Sequence, residues 1–184
     1  MNVNFCSRDE AVRRHDSGEL VDWRVISIND TSLQRPRLVN SIGVHYATFA
    51  DAPNGDSGAP GLEDLQDIVT FARAAGPDAK ILVHCWAGLA RSPAVAWVVS
   101  YDRQLSAGVG PNVASVAAMA NILEGRLGAL PNAWVMLLGL MAVHGDFNQA
   151  LGVLQNFAAR PFMSEPLWQR WLLTWKVKMP AIAR

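Results

Sequence analysis

At 184 residues the chain is long enough for one domain with a small appendage. It is 51% hydrophobic and only 17% charged, so it buries a sizeable core and general disorder is excluded. Sixteen cationic and sixteen acidic side chains cancel, which removes any overall electrostatic case for a nucleic acid or an anionic membrane as partner.

The first half alternates strand and helix. Val3 and Phe5 alternate with asparagines, and Ser7-Arg8-Asp9-Glu10 has the form of a capping box that opens a short helix. No apolar h-region follows Met1, so no secretory signal is read and a cytoplasmic protein is expected. Val21, Trp23 and Val25 alternate with Asp22 and Arg24, after which the apolar phase shifts to Ile26 and Ile28. This predicts a strand that is either bulged or buried on both faces near its end, closed by Asn29-Asp30. Gly43 to Phe49 is a further strand, followed by the Gly-, Pro-, Asn- and Asp-rich loop 50–61. Leu62, Leu65, Ile68, Val69 and Ala72 have helical spacing, with Glu63, Asp64 and Asp67 towards the positive end of the helix dipole. Gly76-Pro77 ends that helix, and Lys80-Ile81-Leu82-Val83-His84 suits a buried parallel strand.

The second half reads as helix throughout. A helix from Arg91 to about Leu105 carries Pro93 in its first turn, where a missing N–H is harmless. Its run 94–99 is apolar on all sides, which predicts a central helix. Further helices are expected at about Asn112–Leu127, Ala133–His144, Asp146–Phe157 and Glu165–Lys178. The apolar block 133–143 follows Pro131-Asn132 and is too short to cross a bilayer. The expected fold is α/β: a mostly parallel central sheet of about four strands flanked by helices, with a helical C-terminal extension. Residues 1–145 are expected to form the α/β domain and 146–184 the extension packed on it. There, Trp168, Trp171 and Trp175 share one helix face and suit core packing or docking on the main domain.

The segment that carries chemistry is Ile81-Leu82-Val83-His84-Cys85-Trp86-Ala87-Gly88-Leu89-Ala90-Arg91-Ser92-Pro93. A buried strand runs into a tight loop, and the loop runs into a helix. Such a loop can turn successive backbone N–H groups inward as an anion-binding nest, reinforced by the helix N-terminus. Gly88 gives the backbone a conformation that a side chain would forbid. The N–H groups, the dipole and Arg91 all favour a thiolate at Cys85. Arg91 supplies a planar fork for two oxygens of a tetrahedral oxyanion. These residues are arranged to hold a phosphate-like dianion against a nucleophilic sulfur. The remaining cysteine, Cys6, is expected to be an ordinary reduced thiol, and four scattered histidines make no metal pattern.

His-Cys-Trp-Ala-Gly-Leu-Ala-Arg-Ser resembles the signature of the cysteine-based protein tyrosine phosphatases: His-Cys, five residues, then Arg-Ser/Thr. It is most similar to the small dual-specificity-like branch that includes short bacterial members. The resemblance extends less specifically over about residues 20–145. It implies a phosphatase-like fold and a phosphoric monoester hydrolase that works through a phosphocysteine intermediate. Phosphorylated proteins or small phosphate monoesters are the implied substrates, with no metal or cofactor. Two departures stand out. Ala90 replaces the serine that dual-specificity members often carry before the arginine, and the loop has no lysine, unlike loops that process highly phosphorylated inositol lipids.

By this resemblance Cys85 is the nucleophile and Arg91 binds the phosphoryl oxygens and spreads the transition-state charge. The backbone N–H groups of Trp86, Ala87, Gly88, Leu89 and Ala90 share that binding. Ser92 would stabilise Cys85 as a leaving group besides any role at the helix N-terminus. His84 is read as a supporting core histidine whose hydrogen bonds hold the loop. The family places a general acid on a loop about thirty residues before the cysteine; Asp51 is first in line and Asp56 second, and either is otherwise a turn residue. The competing readings are a non-catalytic phosphate-binding pseudophosphatase and a rhodanese- or arsenate-reductase-type enzyme, the latter calling on Cys6 to approach in space. Locally the charges are uneven. No Lys or Arg lies between Arg37 and Arg73, where Asp51, Asp56, Glu63, Asp64 and Asp67 stand, while the segment beyond Arg160 is basic.

Overall fold

The computed structural model describes residues 2–30, 35–39, 41–52, 57–125 and 131–158. The predicted helix at 165–178, with its three tryptophans, lies outside the described residues. Within them the chain order is β1 (Val3–Ser7), α1 (Arg8–Asp16), β2 (Trp23–Asn29), β3 (Gly43–Thr48), α2 (Leu62–Ala74) and β4 (Lys80–Cys85). Four helices follow: α3 (Arg91–Ser106), α4 (Pro111–Gly125), α5 (Ala133–His144) and α6 (Phe147–Ala158).

The four strands form one parallel sheet in the order β1-β4-β2-β3. The sheet is wholly parallel, as the helical connections and the apolar run of β4 suggested. β4 lies between β1 and β2, and five of its six residues are buried. The phase shift in β2 has the second of its two predicted causes. Its pairing with β3 advances residue by residue from Arg24 to Asn29 without a bulge, and every residue from Val25 onward is buried. A strand covered on both faces has no need to alternate.

Successive side chains of each strand point to opposite faces, and two apolar clusters result. Phe5, Ile26, Ile28, Ile81, Val83 and Cys85 join the larger cluster, with residues of α2 to α6. Cys6, Val25 and Leu82 join the smaller one, with Ala11 of α1, Leu20 and Leu38. The parity matters for function, because Cys85 faces the thick helical layer and Cys6 the other side.

α3 is the central helix. Every residue from Arg91 to Asp102 is buried, so no polar face is left for solvent. α5 lies close against it at Gly139, where a Cβ would stand 2.4 Å from Val98 Cγ2. Asn132 starts α5 by accepting a hydrogen bond from Val135 N at 3.1 Å, and Gly145 ends it in the left-handed region at φ +70°. α6 sends Ala150, Val153, Leu154 and Phe157 into the same large core. Among the described residues no helix is long and apolar enough to cross a membrane.

Candidate active site

In an open parallel sheet the strand ends carry the backbone into loops on one side, and ligands gather there. All four strands contribute here. β1 ends at Ser7, which accepts from Glu10 N at 3.3 Å and so caps α1. β4 ends at Cys85, level with Ser7 in the sheet register. β2 ends at Asn29, with Asp30 next in the chain, and the chain beyond β3 passes through Phe49 and Asp51.

The loop between Cys85 and Arg91 lies directly on β1. Gly88 has φ +73°, and a Cβ there would come within 2.6 Å of Ser7 N and 2.7 Å of Cys6 C. Both the backbone conformation and the space admit only glycine. Arg8 N donates to Trp86 O at 3.1 Å, which fastens the loop to the first residue of α1. The Arg8 guanidinium also lies 5.4 Å from the Trp86 ring centroid, in cation–π range. Trp86 and Leu89 are about half exposed at the loop's rim, while Gly88 is buried.

The Cys85 sulfur is almost fully buried, and Ser92 meets it from two directions. Ser92 N donates to Sγ at 3.4 Å, and Ser92 Oγ lies 3.2 Å from Sγ. Ser92 Oγ also lies 3.3 Å from Cys6 O. A thiol at Cys85 can therefore donate to the hydroxyl while the hydroxyl donates to Cys6 O. A thiolate can instead accept a hydrogen bond from the hydroxyl. The one rotatable O–H serves both states.

Arg91 is nearly buried, and its guanidinium is clasped on one edge. Nη1 donates to Asp30 Oδ1 at 2.7 Å and to Phe49 O at 2.8 Å; Nη2 donates to Asp30 Oδ2 at 3.2 Å. A guanidinium carries five N–H donors. Three are used, so the Nε edge, with the second Nη2 hydrogen, keeps a free two-donor fork among the described residues.

The sequence matches no protein-family model and no curated protein. The folded chain does match solved structures. One is DUSP15, at 16% identity and a TM-score of 0.56, over 84% of this chain and 91% of that one. Another is the phosphatase domain of Yvh1 from Chaetomium thermophilum, at 18% identity and 0.54, over 77% and 90%. Human DUSP28 aligns at 16% identity and 0.53, over 77% and 92%. The fold is that of the cysteine-based protein tyrosine phosphatases.

On this phosphatase fold the sequence-predicted residues do not all stand alike. Asp51 is exposed, and its Oδ1 accepts from Asn132 Nδ2 at 2.6 Å. Asn132 N in turn donates to Ala90 O at 3.0 Å, so one residue links Asp51 to the Cys85–Arg91 loop. Asp56, the second acid candidate, lies outside the described residues. His84 is fully buried, but neither ring nitrogen has a hydrogen-bond partner among the described residues. The expected hydrogen bonds to the loop are absent there. Burial, and to a lesser extent the Arg8 charge, depress its pKa to about 4, so it is a neutral core ring at neutral pH. Cys6 lies on the opposite face of the sheet from Cys85, which removes it as a partner in a redox relay.

Sequence reasoning missed Asp30 and Asn132. In sequence Asp30 only closes a strand; its place at the carboxyl end of β2, beside central β4, is the signal that could have found it. In sequence Asn132 shows only as the residue, with Pro131, that precedes the apolar block of α5. Among the described residues no cluster of three or more His, Cys, Asp or Glu converges as a metal site.

Replacing Asp30 with Ala should lower stability by about 1–3 kcal/mol, since it strands a nearly buried guanidinium. Asn at that position should lose less, because its amide oxygen still accepts. Equal unfolding midpoints for the parent and Asp30→Ala in urea would contradict the clasp. His84 gives a pH signature. Its folded pKa lies below the ordinary value of 6.5, so the unfolded chain takes up a proton first as pH falls. Stability should be full above about pH 6.5 and decline towards pH 4, by about 3 kcal/mol from this group. His84→Gln should flatten that decline in urea titrations across the range, and an unchanged slope would count against a neutral buried ring.

Proposed function

We propose that the chain is a phosphoric monoester hydrolase, a protein tyrosine or dual-specificity phosphatase-like enzyme that acts through a phosphocysteine. The observation that carries this reading is the pairing within one loop of a sulfur held by Ser92 with an arginine whose free fork is fixed by Asp30 and Phe49 O. A buried cation and a buried sulfur at the two ends of one loop, at the start of a buried helix, make a costly arrangement. An oxyanion bound between them would give it a use.

In the first step the Cys85 thiolate attacks phosphorus in line. The S–P bond forms as the ester P–O bond breaks, and the departing oxygen takes a proton from Asp51. The Arg91 fork and the N–H groups of residues 86–90 receive the phosphoryl oxygens, whose spread negative charge is greatest in the transition state. In the second step Asp51, now ionised, takes a proton from water. That water's oxygen attacks phosphorus, the S–P bond breaks, and inorganic phosphate leaves. Ser92 Oγ–H donates to the sulfur as its negative charge returns. Phosphorylated proteins or small phosphate monoesters are the substrates of this chemistry, and it requires neither a metal nor a cofactor.

Cys85→Ser should abolish hydrolysis of an aryl phosphate while vanadate or phosphate binding remains measurable by calorimetry. Full activity in that variant would sink the mechanism; anion binding by the parent without any turnover would favour a phosphate-binding pseudophosphatase. Asp51→Asn should remove the basic limb of the pH–rate profile. It should also slow a poor leaving group such as phenol by about 100-fold or more, with a much smaller effect on a good one. Equal losses on both leaving groups would exclude Asp51 as the acid.

A further inference from the structure

The first turn of α5 holds both ends of the loop that carries Asp51. Asn132 Nδ2 donates to Asp51 Oδ1 at 2.6 Å, and Trp134 Nε1 donates to Pro60 O at 3.2 Å. The loop is closed on itself by Ala50 N donating to Gly58 O at 2.7 Å. Asn132 uses its polar groups in three further ways. Its Oδ1 accepts from Val135 N, its N–H donates to Ala90 O, and its carbonyl accepts from Met136 N at 3.0 Å. Starting a helix needs only the Oδ1 contact, and Ser, Thr or Asp would supply it as well. The side-chain N–H donor, which those residues lack, is the part spent on Asp51.

We propose that Asn132 is a positioning residue for the general acid, an inference that rests on the phosphatase reading above. An isolated exposed aspartate rotates about its side-chain bonds and presents either oxygen. Here an amide N–H occupies Oδ1, and the backbone of that same amide's residue is fixed to the loop carrying the nucleophile. Oδ2 is left as the oxygen that carries the proton, at a set position relative to Cys85 and Arg91. A misplacement of about 1 Å at such a group can reduce a rate by about 100-fold. The tie therefore acts on proton transfer and not on phosphate binding.

The prediction separates positioning from capping. Asn132→Ser keeps a helix-capping oxygen but loses the N–H donor, so its thermal midpoint should stay near that of the parent. Its kcat should fall about tenfold or more on phenyl phosphate and much less on a nitrophenyl phosphate, a loss confined to the step the acid assists. KM and vanadate affinity should be nearly unchanged. In the Asp51→Asn background, Asn132→Ser should add no further loss on phenyl phosphate, because the partner is already gone. Multiplying losses in the double variant, or equal losses on both leaving groups, would overturn the inference while leaving the phosphatase reading intact. Should Asn132→Ser melt early, Asn132→Asp provides the second variant: it keeps the cap and sets a carboxylate against Asp51, and it should show the same leaving-group bias. Absence of that bias would also overturn the inference. A parent with no hydrolysis of either ester would overturn both readings.

Discussion

The buried guanidinium of Arg91 ties the strand ends together. A cation removed from water needs compensating partners, and Arg91 finds them in Asp30 after β2 and the carbonyl of Phe49 after β3. Because Arg91 is also the first residue of α3, the same contacts fix the start of the central helix over the sheet. Gly88 supplies the second constraint, holding the loop against the β1 backbone where any side chain would collide. Between these two points the loop has little freedom. The sulfur of Cys85 and the free edge of Arg91 are held by the protein's own contacts, which is what the proposed charge stabilisation requires.

The sheet order gives this arrangement its economy. With β4 inserted between β1 and β2, the residue that ends the central strand has the ends of β1 and β2 on either side. β1 gives the loop its seat, β2 gives the arginine its counter-ion, and the chain after β3 gives a carbonyl and the acid candidate. α5 completes the enclosure from the helical layer: Gly139 lets it lie tightly on α3, and Asn132 joins it to both Ala90 and Asp51.

Much of this was legible in the sequence, for identifiable reasons. β4 and α3 are apolar runs of contrasting length bounded by Gly and Pro, so their type and burial followed directly. The loop between Cys85 and Arg91 was legible because Gly88 meets a local backbone demand there, between an apolar strand and a helix. Asp30 and Asn132 were not legible because their roles depend on contacts far along the chain. Asp30 meets an arginine sixty-one positions later, and Asn132 reaches back eighty-one positions to Asp51. In sequence both are ordinary turn or capping residues. The hydrogen bonds expected of His84 failed for the opposite reason: the ring is fully buried, and proximity to a polar loop in sequence brought no polar partner among the described residues.

Under the proposed function, turnover passes through a covalent phosphocysteine at Cys85. Mixing the protein with excess aryl phosphate, quenching in acid within the first turnovers and measuring the intact mass tests it directly. One added phosphoryl group, mapped by peptide analysis to Cys85 and absent from Cys85→Ser, is the predicted result. Steady hydrolysis with no phosphoryl-enzyme, or a phosphoryl group carried on any other residue, would contradict it.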